Sequence, residues 1–261
     1  MGGFILSATG SGEGVERCVK LTWAEPAVAV VAMEDRSSRN LFSQEIGRGL
    51  LEGFAEIVAN PNARVVVVHG YDSYFCGGGT AEQLIAISEG RMSYTDFKFF
   101  DLLRYCELPT IAAMQGHAIG GGLAFGAHAD FMFLAEESMY CANFMGFGFT
   151  PGMASTFNLP RVFGDMIGWE MLFMAANIRG ASLRDRGVGV PVRKRTEVVP
   201  SAVAQARALA KTPRESLVQL KRRRLETTHE AYREAVRREL EMHGVTFTIP
   251  EVSKRIRIGF S

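Results

Sequence analysis

Cysteine is scarce in this chain, and the four present, Cys18, Cys76, Cys106 and Cys141, are widely scattered with no CxxC pair among them. That spacing excludes a disulfide framework or a zinc ribbon and reads as reduced thiols in a cytosolic protein. Charge of one sign is also lacking. The 29 Lys and Arg residues stand against 28 Asp and Glu, a net charge of +1, which is not the balance of a generally basic nucleic-acid binder. No apolar run reaches the roughly eighteen residues of a membrane span, and no basic start followed by an apolar block marks a secretory leader. A soluble cytoplasmic protein is expected. No GxGxxG opens a helix after an early strand with an acid about twenty residues on, and there is no GxxxxGK[ST] loop, so neither nucleotide-binding pattern is present. His69 and His128 have no ligand-spaced partners, and no metal site is expected.

What the chain does have is hydrophobic material, 47% of 261 residues, enough for one large α/β domain or two small ones. It also has glycine in clusters. The stretch Met114-Gln115-Gly116-His117-Ala118-Ile119-Gly120-Gly121-Gly122-Leu123-Ala124-Phe125-Gly126 follows the apolar run Ile111–Met114 and leads into a small-residue helical pattern. Three glycines at such a junction permit backbone angles closed to other residues and let a ligand approach the peptide N–H groups. The N–H groups opening the next helix lack partners and suit a carbonyl oxygen that is gaining negative charge. A second cluster, Phe75-Cys76-Gly77-Gly78-Gly79-Thr80, follows the apolar strand Val65–His69. Two strand–glycine–helix junctions of this kind can supply two convergent donors, an oxyanion hole. Taken alone, each is equally a tight turn.

Around these junctions the chain alternates. Val15–Trp23 and Ala27–Met33 read as two β segments about the turn at Glu25-Pro26. Asn40 or Ser43 caps a helix whose apolar side carries Ile46, Leu50, Leu51, Phe54 and Ile57. Val65–His69, Thr110–Met114 and Phe131–Ala135 are the strands of a βαβ rhythm, the first buried on both faces. Ala81–Tyr105 has no clean period. From Asp165 the chain turns helical, with no long linker, so a core over residues 1–195 and a C-terminal helical extension over 196–261 are expected rather than separate domains.

Three of these stretches together resemble the linked motifs of the crotonase (enoyl-CoA hydratase/isomerase) superfamily: Phe75–Gly79, Gln115–Gly122 and Phe147-Gly148-Phe149-Thr150-Pro151-Gly152. Their order and spacing match, and the similarity runs over nearly the whole chain. Ser37-Ser38-Arg39-Asn40-Leu41 further resembles the family's early loop, whose backbone lines the thioester arm. The resemblance implies a ββα spiral core and a helical C-terminal region that builds trimers or hexamers. It implies oxyanion donors at the N–H groups of Gly79 and Gly121, with Gly78 and Gly120 beside them. It also implies a substrate held as a phosphopantetheine or CoA thioester, with no further cofactor.

The family's hydratases place two glutamates over the acyl chain to handle water. Their positions here are Ala124 and Phe144, and both carboxylates are missing. Asn143–Met153 instead resembles a subgroup of decarboxylases from polyketide β-branching cassettes, which act on 3-methylglutaconyl groups carried by an acyl carrier protein. An apolar pocket suits this chemistry, because a fixed glutamate beside the leaving carboxylate would repel it in a low-dielectric site. A proton donor or carboxylate-binding group is then needed. His243 lies on the same side of its helix as Tyr232, Val236 and Leu240. By position alone it reads as a capping group, whereas Glu241-Met242-His243 with Thr246-Phe247 resembles the subgroup's C-terminal segment, whose histidine is in the active site. The subgroup's tyrosine and lysine on the helix after the first motif fall here on Gln83 and Ile87, leaving Arg91 or Lys98 as candidate cations. His117 reads as structural, and Cys76 as near the site through its neighbours rather than its sulfur. Lys221-Arg222-Arg223-Arg224 reads as a solvated face, or as a dock for an acidic carrier protein. Two other readings stay open: a hydratase, dehydratase or isomerase using His243 or Glu82, and a catalytically silent scaffold that binds RNA through the basic run. Neither membrane nor nucleic acid is the expected partner.

Overall fold

The computed structural model describes residues 17–260. Ten strands occur among them: β1 Val19–Glu25, β2 Val28–Met33, β3 Val65–His69, β4 Tyr74–Cys76, β5 Thr110–Met114, β6 His117–Ile119, β7 Phe131–Ala135, β8 Met139–Cys141, β9 Ile178–Arg179 and β10 Val192–Arg193. The helices are α1 Gln44–Ala59, α2 Ala81–Ser88, α3 Leu102–Tyr105, α4 Gly121–Gly126, α5 Ser155–Phe163, α6 Asp165–Met174, α7 Gly180–Asp185, α8 Arg195–Leu209, α9 Arg214–Glu226, α10 His229–Thr246 and α11 Pro250–Gly259. The first expected strand begins later than its pattern; Val15 and Glu16 lie outside the described residues.

The strands form two sheets. One has the order β1-β2-β3-β5-β7-β10 and the other β4-β6-β8-β9. Each turn of the chain contributes a long strand to the first sheet, a short strand to the second, and then a helix: β3-β4-α2, β5-β6-α4, β7-β8-α5. This is the expected ββα spiral. The four consecutive valines of β3 are fully buried because the strand pairs in parallel with β2 on one side and β5 on the other, so both of its faces are covered.

Two cores result. Phe42, Phe75, Phe125 and the aliphatic residues of α1 fill the larger one. On the other face of the first sheet, Val28, Val30, Val65, Val67, Ile111 and Ala113 meet Val198, Ala202 and Ala206 of α8. The division expected at 195/196 thus falls at the first residue of a helix that closes the sheet, and α8 is integral to the core rather than an appendage. The small residues of α8 explain its close approach.

Of the two expected caps for α1, Ser43 takes the role, its side chain accepting the Ile46 N–H. Asn40 does something else. It is fully buried with a left-handed backbone (φ 53°), it donates to the carbonyls of Met33 and Phe75, and it accepts from Asp35 N–H. Short side chains of this kind tolerate the left-handed region. Asn40 thereby pins the early loop onto the end of β4, where the first glycine cluster begins.

Candidate active site

β4 and β6 pair in parallel, Tyr74 opposite His117 and Cys76 opposite Ala118. Their C-terminal ends are therefore side by side, and the chain leaves both through glycines. Contact between the two exits is too close for side chains. A Cβ on Gly78 (φ +90°) would lie 2.7 Å from the Ile119 carbonyl oxygen and 3.1 Å from the Gly121 nitrogen, and one on Gly122 would lie 2.2 Å from the Cys76 carbonyl oxygen. The early loop docks on the same spot, with Gly77 N–H donating to Arg39 O and Phe42 N–H to Gly78 O.

The amide census of these turns is uneven. Gly77 donates to Arg39 O, Gly78 to Cys76 Sγ, Thr80 to Gln83 Oε1 and Gly120 to Cys141 O. The N–H groups of Gly79 and Gly121 find no acceptor among the described residues. Gly121 is buried and Gly79 half-buried; both stand at adjoining strand ends, and the Gly122 N–H beside them likewise has no acceptor among the described residues. The Cys76 sulfur takes more part than its neighbours alone imply. It is fully buried, with burial pushing its thiol up to about 12, and it binds both Gly78 N–H and Asn40 O.

Apolar residues enclose Gly121. A Cβ there would touch Phe42 and the Met153 sulfur, at 2.9 and 3.0 Å. Ala124 and Phe144, at the positions of the missing glutamates, are buried among apolar residues. Met153 is next to Gly152, and a Cβ on Gly152 would lie 2.7 Å from the His243 ring and 3.2 Å from that of Tyr94. The Pro-Gly motif thus links His243 to the Gly121 amide. The His243 imidazole is 8% exposed, edge-on to Tyr94, Phe149 and Phe247. It donates Nε2–H to the Thr150 carbonyl at 2.9 Å, and the Pro151 carbonyl also bonds the ring. Burial drives its pKa down to about 4, so at neutral pH it is an uncharged base rather than a standing cation.

The expected cations are elsewhere. Arg91 is exposed and paired with Glu89. Lys98 is exposed on a groove with Leu51, Phe54 and Tyr105. The aperiodic segment that carries both puts Tyr94, Phe97, Phe99 and Phe100 inward, and Arg91 and Lys98 face out. Gln83 is occupied in a capping box with Thr80 and a bond to Phe42 O. Glu82 is exposed. The basic run is not one solvated face either. Lys221 is 4% exposed and holds Asp130, Leu103 O and Leu108 O, and Arg224 also pairs with Asp130. His117 is structural as expected, its Nδ1 accepting Met139 N–H.

A cleft of about 660 Å³ opens beside the glycine turns, lined by Arg39, Leu41, Tyr74, His117, Asn143 and Phe260 among others. Arg39 sits over the Tyr74 ring and is a cation at the cleft that no spacing argument singled out. Glu239 was also passed over. It is fully buried one helical turn before His243, and the signal was there, because Tyr232, Glu239 and His243 share a helix face. Burial pushes its carboxyl up to about 7 against the pull of hydrogen bonds from Thr156, Ala154 and Tyr94. Among the described residues no three His, Cys, Asp or Glu side chains are grouped to hold a metal, and no helix is long and apolar enough to cross a membrane.

The buried histidines set an acid limit on stability. His128 donates Nδ1–H to Ala124 O and accepts from the Tyr232 hydroxyl at Nε2; burial takes it down to about 3. Unfolded, it and His243 titrate near 6.5. Below that pH the unfolded chain takes up protons that the folded one refuses, so stability falls as pH drops through about 6.5 towards 4. Glu239, raised, opposes this, but one carboxyl is outweighed by two imidazoles. Urea midpoints measured across that range should decline in the wild type, and the decline should be shallower in His128→Asn.

The enoyl-CoA hydratase/isomerase family profile matches residues 24–257. The bacillaene synthase decarboxylase PksI of Bacillus subtilis is 44% identical over 239 residues, 92% of this chain and 96% of that protein. A solved structure from a dehydratase/decarboxylase enzyme couple of polyketide β-branching superposes with a TM-score of 0.90 at 44% identity, over 92% of this chain and 98% of its own. The ECH2 decarboxylase domain of CurF from Lyngbya majuscula follows at 0.89 and 39%, over 94% of this chain and all of the domain.

Proposed function

Since this chain belongs to the enoyl-CoA hydratase/isomerase family, and within it to the decarboxylases of polyketide β-branching, we propose that it removes CO₂ from a 3-methylglutaconyl group carried as a thioester on an acyl carrier protein. The product is a 3-methylcrotonyl thioester. One observation carries this reading: the Gly79 and Gly121 amides at adjoining glycine turns have no acceptor among the described residues, beside an apolar cluster in which Ala124 and Phe144 stand where the family's hydratases carry glutamates.

In this reading the thioester oxygen lies between Gly79 N–H and Gly121 N–H. Breaking the bond to the carboxylate leaves a dienolate whose charge collects on that oxygen, and donors already in place stabilise it without reorganising. Phe42, Met153, Ala124 and Phe144 keep the pocket dry, so departure of neutral CO₂ from an anion is favoured. His243 completes a cycle. Held neutral by burial, it meets the arriving carboxylate, which favours its protonated form, so the ring takes up a proton and binds the anion. Once CO₂ has gone, the ring passes that proton to the γ-carbon and returns to the neutral form. One proton is consumed per turnover, as the stoichiometry demands.

The cleft beside Arg39, Tyr74 and His117 receives the phosphopantetheine arm, with the Arg39 guanidinium near its phosphate. The chemistry calls on no further cofactor. Carrier-bound substrate places the enzyme in the cytoplasm. Met166, Phe173 and Met174 on α6 are exposed, an apolar face suited to another copy of this chain in a trimer or hexamer. Incubation with 3-methylglutaconyl-carrier protein, followed by mass measurement of the acyl arm, tests the function. Loss of the mass of CO₂ is expected; an arm that keeps its carboxylate would refute it.

A further inference from the structure

Helix α5 begins immediately after the Pro-Gly motif, and it begins badly. Its cap residue is Ala154, which has no side-chain acceptor for the first N–H groups, and both Met153 and Ala154 adopt left-handed backbones, φ 58° and 53°. Two consecutive non-glycine residues in that region are strained and persist only where the surroundings impose them. The imposing group comes from α10. The fully buried Glu239 carboxylate accepts Ala154 N–H at 2.7 Å through Oε2, and Thr156 N–H and Thr156 Oγ1–H at 2.9 and 2.7 Å through Oε1. The Tyr94 hydroxyl lies 3.3 Å from Oε2 and 3.2 Å from Val236 O. A side chain 83 residues downstream thus serves as the helix cap that the local sequence does not provide.

The turn held this way is the one that shapes the site. Met153 places its sulfur against Gly121, and Gly152 seats the His243 ring. Tyr94, bonded at its hydroxyl end, is the other wall of that seat. We propose that Glu239 is a positioning residue of the decarboxylase: by clamping the Gly152–Thr156 turn to α10 it sets the Gly121 amide and the His243 imidazole in register with one another. The clamp touches no reacting atom. It acts on both halves of the site at once because α10 carries Glu239 and His243 on adjacent turns. This inference rests on the decarboxylase reading for its turnover assay, though not for its structural one.

Glu239→Gln tests it. The amide matches the carboxylate in shape but presents an NH₂ to a site where the facing backbone groups are N–H donors, so one half of the clamp opens. On the full-length protein, kcat for CO₂ release from 3-methylglutaconyl-carrier protein should fall about tenfold or more while KM stays within about threefold, the mark of misplaced reacting groups rather than weaker binding. A second readout needs no turnover. Butyryl-pantetheine labelled with ¹³C at its thioester carbonyl should show an infrared downshift on binding wild-type protein, reporting donation from the two amides, and at least half of that shift should be lost in Glu239→Gln. Unchanged kcat together with a full downshift would overturn the proposal. If Glu239→Gln does not fold, Thr156→Val removes the hydroxyl bond alone, and there a full downshift with wild-type kcat overturns it equally. A wild-type protein that shifts the carbonyl yet releases no CO₂ would defeat the decarboxylase reading and leave the role of Glu239 to be judged on the downshift.

Discussion

Replacing Gly78 with alanine is expected to cut CO₂ release by about a thousandfold or more. At φ +90° the residue occupies backbone space that L side chains rarely enter, and its Cβ would press on the Ile119 carbonyl and the Gly121 nitrogen. None of these is the flexible end of a side chain, so the two glycine turns must move apart. Losing a single oxyanion donor costs about 10²–10³ in rate, and here both amides shift together. Gly79→Ala is the control. A Cβ there meets nothing closer than 3.7 Å and the N–H is kept, so activity should remain within about tenfold of wild type. Should Gly78→Ala decarboxylate normally while keeping its melting temperature, the paired-amide account of the site would fail.

His243→Ala carries the second large effect. Positioned proton transfer contributes about 10²–10⁴ to rate, and the expected fall in kcat is of that order. Because the imidazole touches Gly152 and not the amides, the infrared downshift of a bound thioester should survive in this variant. That separates loss of the proton donor from collapse of the pocket. The truncation leaves an imidazole-sized space between Tyr94, Phe149 and Phe247, so added imidazole should restore part of the activity. Normal turnover by His243→Ala would remove the residue from the chemistry and leave it the capping histidine that its sequence position suggests.

Much of this site was legible before any coordinates. Gly77–Gly79 and Gly120–Gly122 announce themselves because few residues other than glycine permit a left-handed turn and a close backbone approach together. The valine run of β3 announces a strand buried on both faces. The absence of acid at Ala124 and Phe144 follows from the resemblance to the family's hydratases, which carry glutamates at those positions. The segment 81–105 was illegible for an equally physical reason. Its inward residues are aromatic and irregularly spaced, so no period separates the buried Tyr94 from the exposed Arg91 and Lys98. Lys221 was misplaced for a related cause. Its helix has Asp130 waiting beneath it, and a buried ion pair of this kind is invisible from one partner's neighbours in sequence.

The residues by themselves determined the alternation of strands and helices and the positions of the glycine turns, because each of these follows from interactions within a few residues of chain or from spacing along it; the loss of hydratase acids came with the family resemblance. Only the folded chain decided that α8 closes the sheet, that burial keeps His243 neutral, and that Glu239 caps a helix whose Thr156 lies 83 residues earlier. Those outcomes depend on desolvation and on contacts between distant segments. Burial, and not local sequence, sets which side chain holds a charge.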